Sequence, residues 1–108
     1  MELNLKDRIV LLNVLPRQGD MATVRIVRDL QNSLAPSEEE FREFEIKQDG
    51  NQYAWNEKGM APKEIKIGAR ARQIVVDALT TMDKAKQLTA DHLSVYEKFV
   101  EAKHDSDS

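Results

Sequence analysis

The stretch that most restricts the fold is "FEIKQDGNQYAWN", residues 44–56. Asp-Gly and Gly-Asn pairs set between alternating residues are a strong hairpin signal, because these residues accept the positive φ of a tight turn. A turn at Asp49-Gly50 sets Phe44 against Trp55 and Ile46 against Tyr53. A turn at Gly50-Asn51 shifts the partners but keeps the same side chains on one face. With a side-chain period of two, that face is buried or the other one is. Trp55, the only tryptophan, is therefore expected to form a wall of the core.

Helical periodicity surrounds this β segment, which excludes an all-α chain and an all-β one together. Asn4 can cap a helix that holds Asp7 in its first turn, and Leu5, Ile9, Leu12 and Leu15 recur at spacings of four, three and three before Pro16 ends the run. Residues 5–15 are so apolar that a buried strand is the alternative reading. Asp20 caps a second helix with a stripe of Met21, Val24, Val27, Leu30 and Leu34. Pro36 follows, and Ser37 with Glu40 forms a capping box for a short helix over 38–43. Beyond the hairpin, "KEIKI" alternates as a third strand with Ile65 and Ile67 inward. The longest helix is expected over about 69–86 on Ala71, Ile74, Val75, Ala78, Leu79 and Met82, and Thr89 caps a last one bearing Leu93, Tyr96, Phe99 and Val100. The predicted fold class is α+β, a small three-stranded antiparallel meander packed against four to five helices. One domain over 1–103 is expected, followed by a polar tail at 104–108.

Composition narrows the function classes. The chain has 108 residues, 32% charged and 41% hydrophobic, which suits a soluble globule with one modest core. The net charge of -3 makes the whole chain no polycation, and the absence of cysteine removes disulfides, thiolate metal sites and thiol nucleophiles. "MELNLKDRIV" reads as neither a signal peptide nor a membrane span, so a cytoplasmic location without membrane contact is the expectation.

Chemistry is sparse. His104 lies in the tail, and His92 has Asp91 only as a sequence neighbour, which on a helix does not face it. The acids Glu38, Glu39, Glu40, Glu43 and Glu45 are explained by helix capping and the helix dipole before any metal is invoked. Gly19, Gly50, Gly59 and Gly68 are isolated and form no phosphate-cradling loop. No catalytic residue, cofactor or metal ligand is assigned. One charge feature stands out: "KEIKIGARAR", residues 63–72, is locally +3 and leaves -6 for the other 98 residues. Lys63, Lys66, Arg70 and Arg72, extended by Arg25 and Arg28, are the candidate contacts for an anion or a nucleic acid. Pairing of Arg70 and Arg72 with the glutamates of the third helix is the structural alternative.

"SEEEFREFEI", "WNEKG", "KEIKIG" and "LTADHLSVYEKFV" resemble, in this order, segments of small uncharacterised proteins encoded in bacterial phage and prophage genomes. The resemblance spans most of the chain. It contains no named catalytic or binding motif, so it implies a genomic setting and no activity. The expected function is a non-enzymatic protein-interaction or assembly module, acting on an unidentified protein partner or as a homo-oligomer. The alternatives are a nucleic-acid-binding accessory protein using 63–72 and an inhibitor of a host enzyme or defence system.

Overall fold

The first three helices begin where a side chain can satisfy the free amides. In the computed structural model, which describes residues 1–50 and 52–101, Asn4 and Asp7 form a reciprocal capping box at the start of α1, Leu5–Val14. Asp20 caps α2, Met21–Leu34, by accepting the Thr23 amide at 2.8 Å, and Ser37 with Glu40 closes the box of α3, Glu38–Glu43. The remaining elements are strand β1, Glu2–Leu3; the hairpin β2, Lys47–Asp49, with β3, Gln52–Ala54; β4, Lys63–Glu64; α4, Ala69–Lys84; and α5, Leu93–Tyr96, which runs into a π-helical turn, Glu97–Glu101. Asn51 and the expected tail at 104–108, with His104, lie outside the described residues.

α1 is the hub of the packing. It touches β1, α2, α4, α5 and the 3-10 turn Glu57–Met60. Leu11 and Val14 of α1 meet Val27, Leu30 and Leu34 of α2, Val75 and Leu79 of α4, and Val95 and Phe99 of the last helical segment. This is one continuous apolar cluster, and truncating a fully buried leucine in it costs about 2–5 kcal/mol. The helical reading of residues 5–15 is the one the structure takes. A helix satisfies its own backbone, whereas a buried strand there needs two sheet neighbours, and the short strands supply none.

The expected three-stranded meander does not form. Among the described residues there are two separate two-stranded antiparallel sheets, β2 with β3 and β1 with β4. Asn56 caps the 3-10 turn Glu57–Met60, and the chain then passes Pro62 and leaves the hairpin. β4 pairs with the amino-terminal strand instead, Leu3 opposite Lys63, and the Ile65 amide extends the ladder to the Met1 carbonyl at 2.8 Å. Leu3 and Ile65 are thereby carried into the core, which is the driving force for this pairing. Of the two isoleucines expected inward, Ile65 is buried and Ile67 is half-buried.

The hairpin turn also lies one residue beyond Asp49-Gly50. Gln48 sits opposite Tyr53 and Asp49 opposite Gln52, with Gly50 at φ +64°. Phe44 is not a strand residue; it ends α3, and Glu45 follows in the left-handed region at φ 51°. Alternation still keeps Ile46, Gln48, Tyr53 and Trp55 on one side of the ribbon. No helix among the described residues is long and apolar enough to cross a membrane.

Candidate functional site

The most unusual burial lies on α1. Asp7 and Arg8 are each only 2% exposed. The guanidinium of Arg8 donates to both oxygens of Glu40, at 2.7 and 2.9 Å, and to the carbonyls of Leu34 and Ala35, at 3.0 and 3.1 Å. One side chain thus ties α1 to the end of α2 and to α3. The hydrogen bonds from Arg8 hold the Glu40 carboxyl down at about 2 against the opposing effect of burial, with help from the Ser37 amide and from Lys63 at 3.5 Å. On the adjacent side, Asp7 accepts from the Lys98 ammonium at 2.7 Å, and the same ammonium donates to the Glu2 carbonyl at 3.1 Å.

Asn56 fixes the base of the hairpin. Its amide donates to the Phe44 carbonyl at 2.8 Å, and its side chain donates to the Glu43 carbonyl and the Glu45 carboxylate at 3.0 and 3.1 Å. Below it, Gly59 has no room for a side chain, since a Cβ there would lie 2.7 Å from Trp55 Cδ1 and 3.2 Å from Leu5 Cδ2. The indole therefore rests on bare backbone. Trp55 is half-buried, with one edge against Gly59 and the other lining an open groove.

That groove runs between the hairpin and the partly covered side chains of α1. At one end, Ile9, Val10 and Asn13 face Tyr53 and Trp55 in a depression of about 360 Å³, closed by Lys6 and Asp91, which pair at 3.3 Å. At the other, Ile9, Leu12 and Asn13 face Tyr53, Phe41 and Pro36 in a depression of about 240 Å³. Ile9, Asn13 and Tyr53 belong to both, so the two form one surface. Phe41 is 42% exposed and Tyr53 37%. The walls mix apolar side chains with Asn13, Gln48 and Gln52, and Asn13 turns its amide back onto the Ile9 carbonyl at 3.2 Å. Such a surface offers contact area and no reacting group.

The charge around it is one-sided. Residues 38–57 hold seven carboxylates and two cations, a net of -5 in a chain of -3. Glu40 is the one engaged by Arg8. Glu38, Glu39 and Glu43 are exposed on α3, and Glu38 lies one turn before Phe41.

The basic candidates make separate local contacts. Lys63 lies against Glu40 at 3.5 Å. Arg72 is half-buried, 5.7 Å from the centre of the Phe99 ring and bonded to the Lys98 carbonyl at 3.3 Å. Lys66 borders a shallow cleft with Asp29, Ser33 and Gly68, and Arg70 is close enough to Asp20 to help lower its carboxyl, an effect due first to the Thr23 amide. Arg28 contacts Asp29 at 3.3 Å and lines a different cleft, with Arg17 and Gln31, while Arg25 is exposed on α2. Lys66 and Arg28 thus open onto separate clefts. α4 starts at Gly68 without a side-chain cap.

His92 is used locally, its Nδ1 accepting the Thr89 amide at 2.9 Å in a capping box. Among the described residues, no group of three or more His, Asp or Glu side chains could hold a metal ion. Residues that sequence reasoning passed over carry the site: Arg8 as its support, Ile9 and Leu12 as its floor, and Phe41 as its rim. The signal for Arg8 is its place at the head of the apolar run "RIVLLNVL", since a charge drawn into the packing of an apolar helix needs a partner. Compared with known proteins, the chain matches no family model, no curated protein and no solved structure.

Proposed function

We propose that the protein is a non-enzymatic protein-interaction or assembly module whose contact surface is the groove between the hairpin and α1, serving the phage or prophage setting that its segments resemble. One observation carries the reading. A chain that buries Asp7 and Arg8 leaves Phe41 and Tyr53 substantially open on a surface shared with Ile9, Leu12 and Pro36. Aromatic anchors of this kind dominate the energy of protein interfaces, because they bury large area at low entropic cost. The groove is also held in shape before any partner arrives, by Arg8 with Glu40 on α3 and by Asn56 at the hairpin base. Preorganisation of this kind removes part of the ordering cost of association.

The test is capture from a host lysate treated with nuclease, comparing the wild-type protein, the Phe41→Ser/Tyr53→Ser variant and the Lys66→Ser/Arg70→Ser variant. The proposal predicts a nuclease-resistant protein partner retained by the second variant and lost with the first. Partners that vanish with nuclease and are lost with the Lys66/Arg70 variant would replace it with the nucleic-acid reading, in which affinity falls steeply with salt.

A further inference from the structure

We infer that the occupant of the groove is a cationic segment of a partner protein with an apolar anchor; this rests on the groove being the contact surface proposed above. The apolar floor of Ile9, Leu12 and Tyr53 selects an apolar side chain. The charge around that floor selects what flanks it. Residues 38–57, which form α3 and the hairpin, are net -5, while the rest of the chain is net +2. The exposed carboxylate of Glu38 lies one turn from Phe41 at one end, and Asp91, paired with Lys6, stands at the other. Lys6, the cation lining the groove, is held by Asp91 at 3.3 Å, and Lys63 is drawn towards Glu40. An acidic segment or a phosphate backbone would therefore meet like charge at the rim, whereas lysines or arginines flanking an apolar anchor would meet their complement. The groove is open at the surface, so these interactions are screened by salt and govern selection more than total affinity.

The probes are three 12-residue peptides sharing a central Leu-Pro-Leu-Phe and flanked by lysines, by serines or by glutamates. Each is titrated up to millimolar concentration into the full protein while the fluorescence of Trp55, the sole tryptophan, is followed. At low ionic strength the lysine peptide should bind about tenfold or more tighter than the glutamate peptide, and this advantage should shrink in about 0.3 M salt. Glu38→Gln/Glu39→Gln should weaken the lysine peptide several-fold and leave the serine peptide unchanged. Equal binding of all three peptides, abolished by Tyr53→Ser, would overturn the cationic occupant and keep the groove as a contact surface. Light scattering that shows a dimer dissolved by Tyr53→Ser would overturn it in favour of a second copy of this chain. No binding by any peptide would overturn the inference and the proposed function together.

Discussion

α2 buries Val27, Leu30 and Leu34 and turns Arg25, Arg28 and Asp29 to solvent, whereas α1, packed against it, buries Asp7 and Arg8 and leaves Ile9, Val10 and Leu12 half-covered. α2 follows the amphipathic rule from Val27 onward, while Met21 and Val24 of the expected stripe stay exposed. α1 is apolar on nearly every side and is used twice: Leu11 and Val14 close the core, and Ile9 and Leu12 floor the groove. Its two buried charges, Asp7 and Arg8, hold neighbouring elements in place. The contrast separates what stabilises the fold from what is left over for a partner.

The largest expected effect breaks the charged side of α1. Arg8→Met takes the guanidinium donors from the Glu40 carboxylate and from two carbonyls, and calorimetry should show a loss of about 3–5 kcal/mol. An acid titration sharpens the same point. The Glu40 carboxyl lies at about 2 when folded, below its ordinary 4.5, so the folded state binds its proton less readily than the unfolded one. Its contribution is present above pH 4.5 and is lost as pH falls through 4.5 towards 2, on the order of 3 kcal/mol in all. Glu40→Gln should be less stable at neutral pH, and the gap to wild type should close across that window. A gap that stays constant with pH would remove the ionic explanation.

On the groove side, Gly59→Ala should destabilise by about 1–3 kcal/mol, because the new methyl meets the indole and the Leu5 side chain. Trp55 emission should shift in the same variant, since the ring has to move. Unchanged emission and stability would show that the indole is not seated on that glycine. The smallest effect belongs to the outer side of α2, where Arg25→Ala should change stability by less than about 0.5 kcal/mol in urea unfolding.

How much of this was legible in the sequence follows the same division. α2, the box of Ser37 with Glu40 and the span of α4 could be read, because periodicity and capping act over a few residues. The pairing of β1 with β4 could not, since two residues carry no alternation and their partners lie some sixty positions away. The hairpin was legible and its register was not: Asp49-Gly50 and Gly50-Asn51 are both acceptable turns, and the choice lies with Glu45 and Asn56, which fix where the ribbon leaves α3. The run 63–72 looked like a patch because it is contiguous in sequence. Folding sends Lys63 to Glu40 and Arg72 to Phe99. Trp55 was expected as a core wall and is half that, one edge packed and one edge lining the groove.

The measurement that reaches the central claim most directly is urea unfolding of the Phe41→Ser/Tyr53→Ser variant beside Arg8→Met. The double serine variant should keep wild-type stability to within about 1 kcal/mol, because both rings are already substantially exposed, while Arg8→Met should lose about 3–5 kcal/mol. The reverse order, a severe loss with the serines and a mild one with Arg8→Met, would mean that the rings are structural, that the buried charge is dispensable, and that the groove is no spare surface.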